Sequence, residues 1–132
     1  MMRFLLDPNA ESYISRGEPT VVNRIVQQPL ASLCISTITE AELHFGLAER
    51  PAAKKLHIAV PEFLLRVEVL PWDSAAARAV GDLRAKTERS GKILSPCDMP
   101  MAAHALSADF TLVTDDKAFS SVKDLKVENW LG

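Results

Sequence analysis

Five carboxylates stand where apolar runs give out or helical segments begin. Asp7 follows FLL (4–6), Glu42 falls in the stretch after SLCIS (32–36), Asp98 precedes MPMAAHAL, and Asp115 and Asp116 follow TLVT (111–114). Taken singly, each has a structural use. Asp7 before Pro8 is the pattern of an N-cap with proline at N1, and Asp98 fits another N-cap. Glu42 with Thr39, and Glu40 with Thr37, read as overlapping capping boxes, and Asp115 and Asp116 as turn residues. Taken together, acids at four element boundaries repel one another unless a cation neutralises them. Carboxylate oxygens are the ligands that Mg²⁺ and Mn²⁺ prefer, and a cation so held can activate water and stabilise charge on a phosphoryl group. The chemistry this suggests is hydrolysis of phosphate esters.

Residues so remote in sequence meet only if the fold gathers the ends of its strands. Short β-type runs occur at FLL (4–6), SLCIS (32–36), RVEVL (66–70), TLVT (111–114) and KVENW (126–130), with helical segments between them. That alternation predicts an α/β domain with a mainly parallel sheet. In such sheets ligands collect beyond the carboxyl ends of the strands, at the point where strand order reverses. Residues 19–28 place Val21, Val22, Ile25 and Val26 on one helical face, and residues 52–66 do the same with Leu56, Val60, Phe63 and Leu64. Pro61 is expected to kink or divide the second of these. The alanine-rich segment 74–90 predicts a helix stopped by Gly91, after a basic last turn with Arg89. The loop GKILSPC then leads to the helix DMPMAAHALSA, where Pro100 is tolerated because it falls in the first turn.

A chain of 132 residues fits one domain, expected to span 1–132. Apolar residues at 48% and charged residues at 24% match an ordinary globular protein. Fifteen basic against 17 acidic residues leave a net charge of −2, so no overall basic field recruits nucleic acid, and any such contact must use a local patch. The candidates are Arg50, Lys54, Lys55, Arg84, Lys86, Arg89 and Lys92, against the plain reading of solvated helix faces. Cys34 and Cys97 are far apart and read as reduced thiols. His44, His57 and His104 lack ligand spacing, which argues against zinc. FLL is too short for a signal-peptide core and nothing approaches a membrane span, so a cytoplasmic protein is expected.

The strings LLDPNA, ISTITEAEL (35–43), SPCDMPMAAHAL (95–106), LVTDD (112–116) and the ending VENW resemble, in order and separation, those of PIN-domain ribonucleases, specifically the VapC-type toxins of bacterial toxin–antitoxin pairs. The resemblance spans the whole chain. It implies a three-layer α/β/α fold with a mainly parallel central sheet of about five strands. It also implies catalytic, metal-binding acids at Asp7, Glu42, Asp98 and Asp116, supported by Asn9, Ser36, Thr114 and Asp115. One or two Mg²⁺ or Mn²⁺ ions would orient a water for attack on an RNA phosphodiester. The implied partners are RNA, a second copy in a homodimer, and a small antitoxin that covers the site, with DNA reached only through the antitoxin and no membrane.

Glu40 and Glu42 point about 200° apart on a helix, so both cannot face one metal. The choice of Glu42 rests on the motif's EL pair, since periodicity does not decide it. The sequence departs from the family's usual DTN at Pro8, which removes a hydroxyl and a backbone N–H beside the first acid. That departure motivates an alternative, a catalytically weakened PIN domain acting with its antitoxin as a DNA-bound regulator. A phosphoryl-transfer domain of receiver or haloacid-dehalogenase type is disfavoured: the start DPN lacks the DxD pairing of the latter, and no acid pair plus lysine suggests the former.

Overall fold

The computed structural model describes residues 3–7, 19–29, 32–91, 94–96 and 98–130. Pro8, Asn9, Lys92 and Cys97 lie outside the described residues. Five parallel strands form one sheet: β1 (Phe4–Leu6), β2 (Leu33–Ser36), β3 (Glu68–Leu70), β4 (Thr111–Val113) and β5 (Val127–Glu128), in the order β3-β2-β1-β4-β5. The chain winds outward from β1 to β3, then returns to β1's other side with β4. Strand order therefore reverses between β1 and β4, the position at which open α/β sheets leave a crevice.

Residues alternate cleanly between the two faces, because a strand's side chains have a period of two. Phe4, Leu6, Leu33, Ile35 and Val113 join one buried cluster, and Leu5, Cys34 and Leu112 join the other. Both faces are covered, which is why the strands read as unbroken apolar runs. On the first face lie α1 (Pro19–Gln27) and α3 (Lys54–Arg66), through Val21, Ile25, Leu56, Val60 and Phe63, together with Leu43 of α2 (Thr37–Glu49). On the second lie α4 (Ser74–Ser90) and α5 (Asp98–Ala108), packed along each other. The result is the expected three-layer α/β/α arrangement with five strands.

Local chemistry fixes most boundaries. Asp73 caps α4 by accepting from the Ala76 amide at 3.0 Å, and Gly91 ends that helix at φ 73°, a left-handed conformation that glycine adopts without strain. Two expectations need correction. First, of the kink or division expected at Pro61, the division does not occur: α3 runs through it as one helix. Proline removes the bond to the His57 carbonyl, and both residues are exposed, so water can take the free oxygen. Second, neither capping box forms at α2. Strand β2 runs directly into the helix, and Ser36, with φ −77° and ψ 153°, is the N-cap; its Oγ accepts from the Ile38 amide. Thr37 instead accepts from the Trp72 amide at 3.2 Å, and buried Thr39 turns its hydroxyl to Met101 Sδ at 3.6 Å.

Among the described residues no helix is long and apolar enough to cross a membrane. Cys34 is a free, buried thiol. Burial pushes it up from its ordinary pKa, opposed by the Arg3 guanidinium beside it.

Candidate active site

The crevice between β1 and β4 is built around a threonine. Asp7 follows β1 directly and is buried, 6% exposed, with its amide donating to the Val113 carbonyl at 3.0 Å. Thr114, the residue after β4, is also buried and donates its hydroxyl to Asp7 Oδ2. The same hydroxyl oxygen accepts from the Asp116 amide at 3.1 Å. One side chain thus ties the first acid, 107 residues away in sequence, to the backbone of the fourth.

Asp116 is the N-cap of the 3₁₀ turn Lys117–Ser121, its Oδ1 accepting from the Ala118 amide at 2.9 Å. Its neighbour in space is Asp98. Burial raises the Asp98 pKa above the ordinary carboxylate value, and the Asp116 carboxylate pushes the same way; the Ser95 hydroxyl opposes them. Two carboxyl groups so close are costly without a cation, and they are the hard oxygen donors that Mg²⁺ or Mn²⁺ takes. That raised acid beside a second acid is the feature that fits a divalent ion.

Asp98 itself is not an N-cap. It is the first residue of α5, and Ser95 plays the capping part, its Oγ and its carbonyl each receiving the Asp98 amide at 3.1 Å. Ser95-Pro96-Cys97-Asp98 has the spacing of a capping box, a signal for Ser95 that is present in the sequence. Glu42 is exposed on α2 and Glu40 half-buried. No three His, Cys, Asp or Glu side chains among the described residues are arranged to hold a metal together. The Thr114 hydroxyl links the Asp7 carboxylate to the Asp116 backbone, and the Asp116 carboxylate lies beside Asp98. Ser36 serves as the helix cap described above, and Asp115 is exposed beside Asp116.

Of the cationic candidates, Arg84 lies on α4. It lines a cavity of about 430 Å³ with Val80, Leu94, Pro96, Met99 and Pro100, residues that straddle Asp98, and it pairs with Glu88 at 3.1 Å. Lys86 and Arg89 lie exposed on the same helix, and Arg50, Lys54 and Lys55 at the turn between α2 and α3.

A doubly wound parallel domain with carboxylates gathered at its switch point is the class the fold and site define. The sequence profile of the PIN domain matches residues 4–125, and the chain belongs to that family. Within it, the chain resembles the VapC ribonucleases. It is 34% identical to the tRNA(fMet)-specific endonuclease VapC of Shigella flexneri, over 98% of this chain and 99% of that one. It is 33% identical to ribonuclease VapC2 of Haemophilus influenzae, over 99% of this chain and all (100%) of the relative. The structure superposes on DNA-bound VapBC of Salmonella typhimurium with a TM-score of 0.88 and 31% identity, over 98% of this chain and 99% of that one. It matches VapBC2 of Rickettsia felis, bound to a promoter DNA fragment, at TM-score 0.86 and 28% identity, again over 98% and 99%.

Proposed function

We propose that this protein is a metal-dependent endoribonuclease, the toxin of a toxin–antitoxin pair, which cleaves RNA phosphodiester bonds and thereby stops translation and growth. The observation that carries the reading is the linkage of Asp7, Thr114, Asp116 and Asp98 at the switch point, in a chain one-third identical over its length to proteins named as VapC ribonucleases. Asp7, Asp98 and Asp116 would hold Mg²⁺ or Mn²⁺, with Glu42 completing the set from α2. The ion would supply an activated water and charge stabilisation at the phosphoryl group. Thr114 keeps Asp7 oriented, and the helix turn capped by Asp116 fixes that carboxylate's second oxygen. Arg84, Lys86 and Arg89 are the cations offered to the RNA backbone.

The partners follow from the relatives. A small antitoxin is expected, since the similar structures are of VapBC, toxin–antitoxin complexes, and a homodimer is expected beside it. Phe45, Ile58 and Leu65 stand exposed on α2 and α3, apolar surface available for such contacts. DNA would be met only through the antitoxin, in keeping with the net charge of −2. A regulator without cleavage is the weaker reading, because nothing in the described site lacks an acid.

The test is cleavage of RNA by purified protein with Mg²⁺ or Mn²⁺, starting with initiator tRNA, for which the Shigella relative is named. Asp7→Asn and Asp98→Asn should abolish cleavage and growth arrest; Glu42→Gln should lower both, and Glu40→Gln should leave them unchanged. Metal-independent cleavage, or arrest that survives Asp7→Asn, refutes the proposal.

A further inference from the structure

Thr114 orients Asp7, and a separate group of residues orients Thr114. Its backbone N–H donates to the Glu128 carbonyl at 3.0 Å. Glu128 belongs to β5, an edge strand only two residues long, too short to hold its register by ladder bonds alone. Side chains make up the difference. Glu128 Oε1 accepts from Arg24 Nη2 of α1 at 3.3 Å and from Trp130 Nε1 at 3.2 Å. The Arg24 guanidinium also lies over the Trp130 ring, 5.3 Å from its centroid. Buried Trp130 meets Phe4 edge to face at 5.2 Å, and Phe4 opens the strand that leads into Asp7.

The brace therefore grips both partners of the Thr114–Asp7 hydrogen bond: β1 through Phe4 and Trp130, and the end of β4 through Glu128. Its charges contribute little to stability. Arg24 and Glu128 side chains are 45% and 35% exposed, and ion pairs this open are weak. What it supplies is placement.

We propose that Glu128, clamped by Arg24 and Trp130, is a positioning residue for the nuclease site, setting the reach of the Thr114 hydroxyl toward Asp7. The inference rests on the nuclease reading above. Groups that orient metal-binding carboxylates change metal affinity or activity by 10–100-fold when lost. One step further out, the lower end applies.

The experiment measures Mn²⁺ affinity by the resonance of free Mn²⁺, kcat and KM for RNA cleavage, and thermal melting, on the intact protein. Glu128→Ala should weaken Mn²⁺ binding and lower kcat, each by about tenfold, while KM for RNA stays the same. Arg24→Met should act in the same direction and Arg24→Lys should restore most of the loss. Trp130→Phe, which keeps the ring against Phe4 and deletes the donor, carries the test should Glu128→Ala not fold. Variants that melt earlier yet match wild type in Mn²⁺ affinity and kcat overturn the proposal and leave the nuclease reading intact. A wild type that neither binds Mn²⁺ nor cleaves RNA overturns both.

Discussion

Replacing Thr114 by valine keeps the shape of a buried side chain and removes one hydroxyl. In the wild type that oxygen donates to the Asp7 carboxylate and accepts from the Asp116 amide. The first bond has a charged partner and is worth about 1.5–3 kcal/mol; the second, between neutral groups, about 0.5–1.5 kcal/mol. Asp7 is 6% exposed, so water cannot replace the lost donor freely, and the cost should fall near 2–4 kcal/mol. For a domain of this size, that lowers the melting temperature by roughly 8–20 °C. The same loss releases Asp7 from its orientation, so Mn²⁺ affinity and RNA cleavage should fall by about 10–100-fold. Thr114→Ser, which restores the hydroxyl, should recover affinity and cleavage. Calorimetric melting with and without Mn²⁺, beside single-turnover cleavage, reads both effects. A valine variant that melts and binds Mn²⁺ like wild type would show that Thr114 is only a strand end.

Two further outcomes follow from half-buried Asp98 and buried His104. Asp98 has a raised pKa in the fold, so its stabilising contribution is complete below the unfolded value of about 3.9 and is lost as pH rises through the folded value. Asp98→Asn should therefore raise the melting temperature of metal-free protein at pH 7 and make no difference near pH 3.5, while abolishing cleavage; equal melting of the two proteins at pH 7 contradicts this. His104 is buried, its Nδ1 has no hydrogen-bond partner among the described residues, and burial pushes its pKa down, with Asp73 opposing. A depressed folded pKa means stability present above about 6.5 and lost as pH falls below it, by at most one proton, about 1.4 kcal/mol per pH unit. Urea unfolding between pH 5 and 8 should show that slope in wild type and a flatter one in His104→Gln.

Much of this was legible in the sequence because it is local. The strand runs are apolar throughout because both sheet faces are covered, and α4 announces its own ends with Asp73 and Gly91. Asp7 and Asp116 were readable as strand-end acids. What escaped depends on tertiary placement. The capping boxes at Thr37 and Thr39 looked sound by spacing, but the strand enters α2 without a loop, and only Ser36 has the extended backbone of an N-cap. The Arg24–Glu128 pair joins residues 104 apart, with no periodicity to advertise it. Ser95, three residues before Asp98, by contrast carries a local cap signal of the same kind as Asp73.

Periodicity alone leaves Glu40 and Glu42 equivalent, and packing sets their two flanks against different parts of the fold. Thr39 and Leu43 are the buried centre of α2. At about 100° per residue, Glu40 and Glu42 each lie about 80° from that centre, on opposite flanks. Ile38, one turn before Glu42 and on its flank, packs in the cluster that holds Met99 and Met101 of α5, and Thr39 sends its hydroxyl to Met101. Leu47, on Glu40's flank, packs in the other cluster, with α1 and α3. The Glu42 flank is thus turned toward the helix that begins with Asp98, and the Glu40 flank away from it. Glu42 is also the more exposed of the two, which on the proposed nuclease reading suits a carboxylate at the rim of an RNA-binding crevice. On the proposed nuclease reading, an acid at that rim repels the RNA backbone until a cation lies between them, so metal binding and RNA binding should reinforce each other.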